Sequence, residues 1–245
     1  MHTIEGKNAV LDALKNGAEI DKLYIQNDDA RRLGAILALA KERKIVVSHI
    51  GKQKMTELSQ TGAHQGVIAT VCTIQYAPLS ALFESAKAKN QPPFVVIADG
   101  IMDPHNLGAI IRSANAAGAD GVIIPSRRSS TVNATVDKVS AGAVHSIPIV
   151  RITNLSDTIK TLKDKGLWIY GTALDTDASL YDTDLTGPAA IIIGSEGQGM
   201  SPLVKKQCDF LMKIPMLGQT QSLNASVACG ILLYEAVRQR QKGRS

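Results

Sequence analysis

The sequence predicts an α/β protein in two parts, a small N-terminal module and a larger C-terminal domain built on a parallel sheet. Three observations predict it. Segments of helical period alternate with short apolar runs along the chain. The 245 residues exceed the usual size of one compact domain, about 100 to 150 residues. Between the two alternating stretches lies YAPLSALFESAKAKNQPP, residues 76–93, which carries proline near both ends and no strand pattern and is read as a linker.

In the first module, residues 1 to about 75, GKNAVLDAL from Gly6 has helical spacing and Leu23 to Ile25 is short and apolar. ARRLGAILALAKERK is helical again and VVSHI reads as a strand. A helix around Lys52 to Leu58 and a strand from Gly66 to Val71 complete it. Its basic positions are Lys7, Lys22, Arg31, Arg32, Lys41, Arg43 and Lys44. The second domain, residues 94–245, opens with the apolar strand Phe94 to Ala98. Further strands are expected at Val122 to Ile124, Ile147 to Ile152, Trp168 to Ala173, Ala190 to Ile193 and Phe210 to Ile214. Strands separated by helices imply parallel pairing. No internal repeat or low-complexity tract interrupts the pattern.

Composition narrows the function classes. Hydrophobic content of 44% with 20% charge is that of a globular protein. No apolar run approaches the roughly 20 residues of a membrane span, and Met1 to Glu5 do not form a basic and then apolar leader, so the expected location is cytoplasmic, with no membrane partner. Cys72, Cys208 and Cys229 are far apart, which signals neither a disulfide framework nor a zinc site and points to buried free thiols. A net charge of +5 permits an anionic partner such as RNA without requiring one. Aromatic content of 4% argues against stacked platforms for single strands.

Three motifs in the second domain carry chemistry. In DPHNLGAIIRSANAAG, Asp103 to Gly118, the residues Leu107, Ile110, Ile111, Ala114 and Ala117 form one helical stripe. Asn106 is the expected N-cap, and Arg112 lies off the stripe, able to reach back toward Asp103 to Asn106. In IIIGSEGQGM, Ile191 to Met200, a buried strand ends in a turn whose three glycines let backbone approach a ligand. The order of those glycines matches neither a dinucleotide fingerprint nor a P-loop, which removes a nicotinamide dehydrogenase as the leading reading. Glu196 sits in that turn, at the carboxyl end of a strand where α/β proteins place ligand groups. In IPMLGQTQSLNASVACGILLYEAV, Ile214 to Val237, a strand and a polar loop precede a long apolar helix with Ser222 as its expected N-cap. Val227, Ile231, Leu232, Tyr234 and Val237 cover more than one face of that helix, while the tail VRQRQKGRS reads as a solvated, frayed end, with an RNA contact as the alternative. His105, His64 and Gln65 read as ordinary surface or hydrogen-bonding residues, with contacts to RNA as the alternative for His105 and Gln65.

Taken together and in this order, NLGAIIRSA, GSEGQGM and IPMLGQTQSLNASVA resemble the three signature motifs of the SpoU/TrmH branch of the SPOUT methyltransferases. EGKNAVLDAL and HQGVIATV are similar to the substrate-binding domain of the RlmB type, which methylates a guanosine ribose in 23S rRNA. The resemblance implies a trefoil-knotted C-terminal domain that binds S-adenosyl-L-methionine, works as a homodimer and needs no metal, with an N-terminal RNA-binding domain. Carried over by motif position, Gly194, Ile214 and Leu223 contact the cofactor, with Thr172, Gly197, Met216 and Ser222 as neighbours. Asn106, Arg112, Glu196 and Asn224 match the polar catalytic set. Ala225 departs from the valine that is frequent in the family.

The implied reaction moves a methyl group to a ribose 2′-hydroxyl of RNA. Such an in-line displacement needs alignment and a way to handle a hydroxyl that is a poor nucleophile at neutral pH. A guanidinium is effectively always protonated, so Arg112 is expected to stabilise the developing alkoxide rather than to remove the proton. Glu196 would orient Arg112 or an RNA hydroxyl, with Asn106 and Asn224 holding the loops and the ribose. The same chemistry on tRNA or another rRNA site, and a catalytically silent RNA-binding or ribosome-assembly protein, are the alternatives.

Overall fold

The computed structural model describes residues 3–242 except 19, 44, 72, 73, 196 and 198, with the side chains of 30 and 31 also left undescribed. Lys44, Cys72, Glu196 and the side chain of Arg31 therefore lie outside the described residues. The chain forms two compact units, Met1–Gln75 and Tyr76–Ser245.

In the first unit, β1 (Thr3–Glu5) leads to α1 (Lys7–Lys15), β2 (Ile20–Gln26), α2 (Gly34–Glu42), β3 (Val46–Ile50), α3 (Lys52–Leu58) and β4 (Val67–Val71). β1 was not legible as a strand, being three residues long. The helix expected from Ala30 starts late, because Asn27–Leu33 winds as 3-10 turns before α2 begins. The sheet runs β1-β4-β2-β3 and is mixed: β4 is antiparallel to β1 and β2, whereas β2 and β3 are parallel. Val10 and Leu14 of α1 and Ile36 and Ala40 of α2, each pair four residues apart, bury one helical face with Leu23, Ile25 and Val67. Polar groups brace this unit. Gln65, left-handed at φ 47°, accepts the Lys7 amide at 3.0 Å, and His64 Nδ1 accepts the Gly66 amide. The Arg43 guanidinium donates to the carbonyls of Leu14 and Ala18 at 2.8 and 2.9 Å.

In the second unit, α4 (Ser80–Ala88) precedes β5 (Phe94–Ala98), α5 (Pro104–Ala116), β6 (Gly121–Pro125), α6 (Ala134–Ser140), β7 (Ile149–Ile152), α7 (Leu155–Asp164), β8 (Trp168–Thr172), β9 (Ala189–Ile193), α8 (Pro202–Gln207), β10 (Phe210–Met212) and α9 (Ala225–Lys242). All six strands pair in parallel in the order β10-β8-β9-β5-β6-β7. Every residue of the central β5 and β9 is buried, as a sheet covered on both faces demands.

The stretch read as a linker is corrected here, since its middle is α4 and α4 belongs to the core. Leu82 is fully buried and occupies the space beside Gly121, where an added Cβ would come within 2.1 Å of Leu82 Cδ2. Lys89, just past α4, donates to the buried Asp120 carboxylate at 2.9 Å. Asp120 also accepts the Phe94 amide at 2.8 Å. The tail reading is corrected as well. α9 continues to Lys242, and Arg240 donates to the carbonyls of Leu185, Pro92 and Gly187 with its guanidinium 4.4 Å from the Phe94 ring centre.

Cys229 is buried and Cys208 half-buried, both as free thiols, and burial pushes their pKa up to about 12 and about 11. No described helix is long and apolar enough to cross a membrane, and no described cluster of His, Cys, Asp or Glu is arranged to hold a metal ion.

Candidate active site

A parallel sheet delivers all its strand C-termini to one edge, and the loops leaving that edge build the site. The loops after β8, β9 and β10, with the first turns of α8 and α9, enclose a cavity of about 820 Å³. Thr172, Gly194, Gly197, Ile214, Met216, Ser222 and Leu223 all line it, as does Asn224. These residues come from three separated segments, and the fold brings them to one place.

The wall contributed by the β9 loop is backbone. Ser195 and Gly199 exchange amide hydrogen bonds of 3.2 and 2.9 Å, closing a turn in which Gly197 and Gly199 take φ of 79° and 63°. A Cβ on Gly194 would lie 2.5 Å from the Gly199 carbonyl carbon and 2.6 Å from the Met200 amide, so only glycine lets the strand meet the turn that closely. Met200 then anchors the turn in the core. Glu196, inside the turn, lies outside the described residues.

Two expected N-caps are replaced. In α5 the cap is Asp103, whose carboxylate accepts the His105 amide at 3.0 Å, and Pro104 fills the first helical position, where its missing N–H costs nothing. Asn106 is therefore a first-turn residue, 8% exposed. In α9 the cap is Asn224 rather than Ser222: its Oδ1 accepts the amides of Ser226 and Val227 at 3.0 and 3.3 Å. Because the caps consume the oxygen, the amide nitrogen faces away, and it donates to Asn106 Oδ1 at 2.9 Å. The two asparagines thus tie the first motif to the third across 118 residues of chain, at the border of the cavity.

Arg112 is exposed on α5, two turns beyond that junction, with no hydrogen bond or ion pair to a described residue. It does not line the cavity, and the reach back toward Asp103 expected from its spacing is not seen. Its helix rests close against α6, for a Cβ at Gly108 would lie 2.8 Å from Val139 Cβ.

The cavity also holds charged residues that sequence reasoning missed. Lys205 on α8 pairs with Asp175 in the β8 loop, and both line the wall. The hydrogen bond from Lys205 holds the Asp175 carboxyl below its usual range. Lys213 faces Asp177 at 3.8 Å. Position after a strand was the available signal for Asp175, but nothing in spacing separates Lys205 from any other surface lysine.

The model of the SpoU rRNA Methylase family matches residues 93–234, and one described as RNA 2'-O ribose methyltransferase substrate binding matches residues 3–77. YacO of Bacillus subtilis, assigned to the TrmH family of tRNA/rRNA methyltransferases, is 43% identical over 236 residues, covering 96% of this chain and 94% of its own. A Staphylococcus saprophyticus protein assigned to the same family is 47% identical, covering 97% of this chain and 95% of its own. Among solved structures, the SpoU methyltransferase AviRb from Streptomyces viridochromogenes in complex with AdoMet aligns with a TM-score of 0.64 at 25% identity, covering 98% of this chain and 91% of its own. An AdoMet-bound rRNA methyltransferase from Sinorhizobium meliloti aligns with a TM-score of 0.60 at 28% identity, covering 96% of this chain and 86% of its own.

Proposed function

The chain belongs to the SpoU rRNA methylase family, and from that premise we propose that it transfers a methyl group from S-adenosyl-L-methionine to a ribose 2′-hydroxyl of RNA, with a guanosine of 23S rRNA as its target. The observation that carries the reading is the convergence of Thr172, Gly194, Gly197, Ile214, Met216, Ser222 and Leu223 on one cavity whose border is the Asn106–Asn224 pair.

The cavity suits the cofactor. Its volume of about 820 Å³ lies within the range of small-molecule sites, roughly 300 to 1,000 Å³. Gly194, Gly197 and Gly199 offer backbone that carries no side chain, Ile214, Met216 and Leu223 offer an apolar wall, and Thr172 and Ser222 offer hydroxyls. S-adenosyl-L-methionine supplies the electrophilic methyl group when bound. Asn224 and Asn106 hold the β10 and β5 loops at a fixed separation, so that the ribose meets a preorganised surface. Arg112, which lies outside this cavity, is the permanent positive charge that this reading assigns to the 2′-oxygen as its proton passes to solvent water. Glu196, in the glycine turn, orients Arg112 or an RNA hydroxyl in this reading.

The same reading assigns RNA recognition to residues 1–75, a knotted backbone to the second unit, and a cytoplasmic homodimer joined through the exposed stripe of α9 in which Val227 and Tyr234 are 50% and 54% exposed. The match of residues 3–77 to a substrate-binding domain supports RNA as the substrate, and the rRNA named for the Sinorhizobium meliloti neighbour favours rRNA. The decisive experiment incubates the protein with labelled cofactor and either unmodified 23S rRNA or bulk tRNA, then maps 2′-O-methyl positions. Label at one rRNA guanosine is expected. Label in tRNA alone would keep the chemistry and replace the substrate, and cofactor binding with no transfer to either RNA would point to a silent binding protein.

A further inference from the structure

We propose that Arg127 and Arg128, in the loop that follows β6, form a phosphodiester-binding corner that grips the RNA strand on the methyltransferase unit itself. The proposal rests on the reading that RNA is the substrate, and it assigns part of the grip to residues outside the N-terminal module and outside the three motifs.

The loop is braced at both ends. The Ser126 amide donates to the Ile152 carbonyl at 2.7 Å and the Ser130 amide to the Ile101 carbonyl at 2.7 Å. Ser129 Oγ also donates to Ile101, the Val132 amide donates to the Tyr76 hydroxyl, and Asn133 caps α6 through the amides of Thr135 and Val136. Between these anchors Arg127 and Arg128 are exposed, and neither guanidinium has a hydrogen-bond partner among the described residues. Arg128 is held at φ 55°, a left-handed conformation that costs a residue with a Cβ on the order of 1 kcal/mol. A backbone that fixes such a residue while leaving its guanidinium without a hydrogen bond to a described residue is the pattern of stored strain at a binding position.

The corner stands beside the site. β6 is the parallel neighbour of β5, so its loop leaves the same edge of the sheet as the loop that leads to Asp103 and the first turn of α5. Its anchor Ile101 lies in that β5 loop. Asp99, also in it, accepts the Ser201 amide beside the cavity residues Met200 and Pro202 and feels the charge of Arg128, although burial outweighs that attraction and raises its carboxyl. The ligand class follows from the donors: two planar, permanently charged forks on consecutive exposed residues match phosphate oxygens, and the loop hydroxyls of Ser129 and Ser130 are spent on backbone carbonyls. An RNA backbone carries such anions along the strand next to any methylated ribose.

The test measures binding of a 23S rRNA transcript over a KCl series, with cofactor affinity by calorimetry and the melting temperature alongside. The Arg127→Ala/Arg128→Ala variant is expected to bind RNA at least about tenfold more weakly near 0.1 M salt and to flatten the slope of log affinity against log salt by about 1.5 to 2, the signature of two lost phosphate contacts. Its cofactor affinity and melting temperature stay those of wild type. Arg128→Gly relieves the backbone strain, so it should melt no lower than wild type while flattening the slope by about 1. A double variant with wild-type affinity and slope overturns the corner while leaving the methyltransferase reading intact. So does an equal loss in Lys87→Ala/Lys160→Ala, which removes two exposed charges from α4 and α7. A wild-type protein that binds cofactor but no RNA overturns both the corner and the RNA substrate.

Discussion

The two sheets of this chain are built from similar apolar residues, yet one is mixed and the other wholly parallel, and their polar groups are used differently as a result. In the first unit the strands run both ways, so loops leave from both edges and polar side chains near the surface hold them. Glu5 accepts from Ser59, Gln60 and Thr61, Gln65 caps α1, and Arg43 stitches two carbonyls. In the second unit the strand ends that carry the motifs share one edge, and Gly194, Asn224 and Arg112 are left to face a cavity or solvent. Direction of pairing, more than composition, decides which unit can gather a reaction site.

The largest effect is expected from Arg112→Ala, which should lower turnover by about 10² to 10³, as loss of one oxyanion donor does elsewhere, while calorimetry shows cofactor affinity almost unchanged. Unchanged turnover would remove Arg112 from the chemistry. Gly194→Ala should come next. Its Cβ has nowhere to go, and overpacking of about 1 to 3 kcal/mol should appear both in thermal unfolding and in cofactor affinity. Gly66→Ala in the first unit meets a similar obstacle, Asp29 Oδ2 at 2.5 Å with φ at 81°, but should destabilise without changing cofactor affinity. If it weakens cofactor binding as strongly, the division of labour between the sheets fails. Asn224→Ala removes a cap, about 1 kcal/mol, together with the link to Asn106, and should lower turnover more than it lowers the melting temperature.

The smallest effect is that of Glu5. Partial burial pushes its carboxyl up, but hydrogen bonds from Ser59, Gln60 and Thr61 win and bring it down to about 2 from 4.5. A carboxyl depressed on folding contributes stability that is fully present above the unfolded pKa and is lost as pH falls toward the folded one. Unfolding titrations should therefore show this contribution fading between about pH 4.5 and 2, and Glu5→Gln should remove that part of the profile without touching methyl transfer.

The parallel core and the cavity were legible because buried strands and glycine turns leave local signals. Ile191 to Ile193 followed by Gly194 predicts a strand that ends in a close approach wherever the rest of the chain goes. Caps were less legible, since several Asp, Asn and Ser residues near each helix start could serve. Pro104 decides for Asp103 over Asn106, because proline belongs at the first helical position. Asn224 displaces Ser222 because α9 begins only at Ala225. α4 was hidden by composition: Leu82 and Ala86 are its buried residues, and the surrounding Ala, Lys and Ser resemble a linker. The Asn106–Asn224 bond could not be read at all, since it joins residues that only the fold makes neighbours.

The last helix binds these observations together. α9 has 18 residues, about 27 Å at 1.5 Å per residue. Its first cap is a border of the cavity, while Gln239 and Arg240 near its far end grip Thr183, Leu185, Gly187 and Pro92. It is a strut pinned at both ends. Loss of the grip at Gln239 and Arg240 therefore loads one end of that strut, and the disturbance reaches Asn224 through a rigid rod.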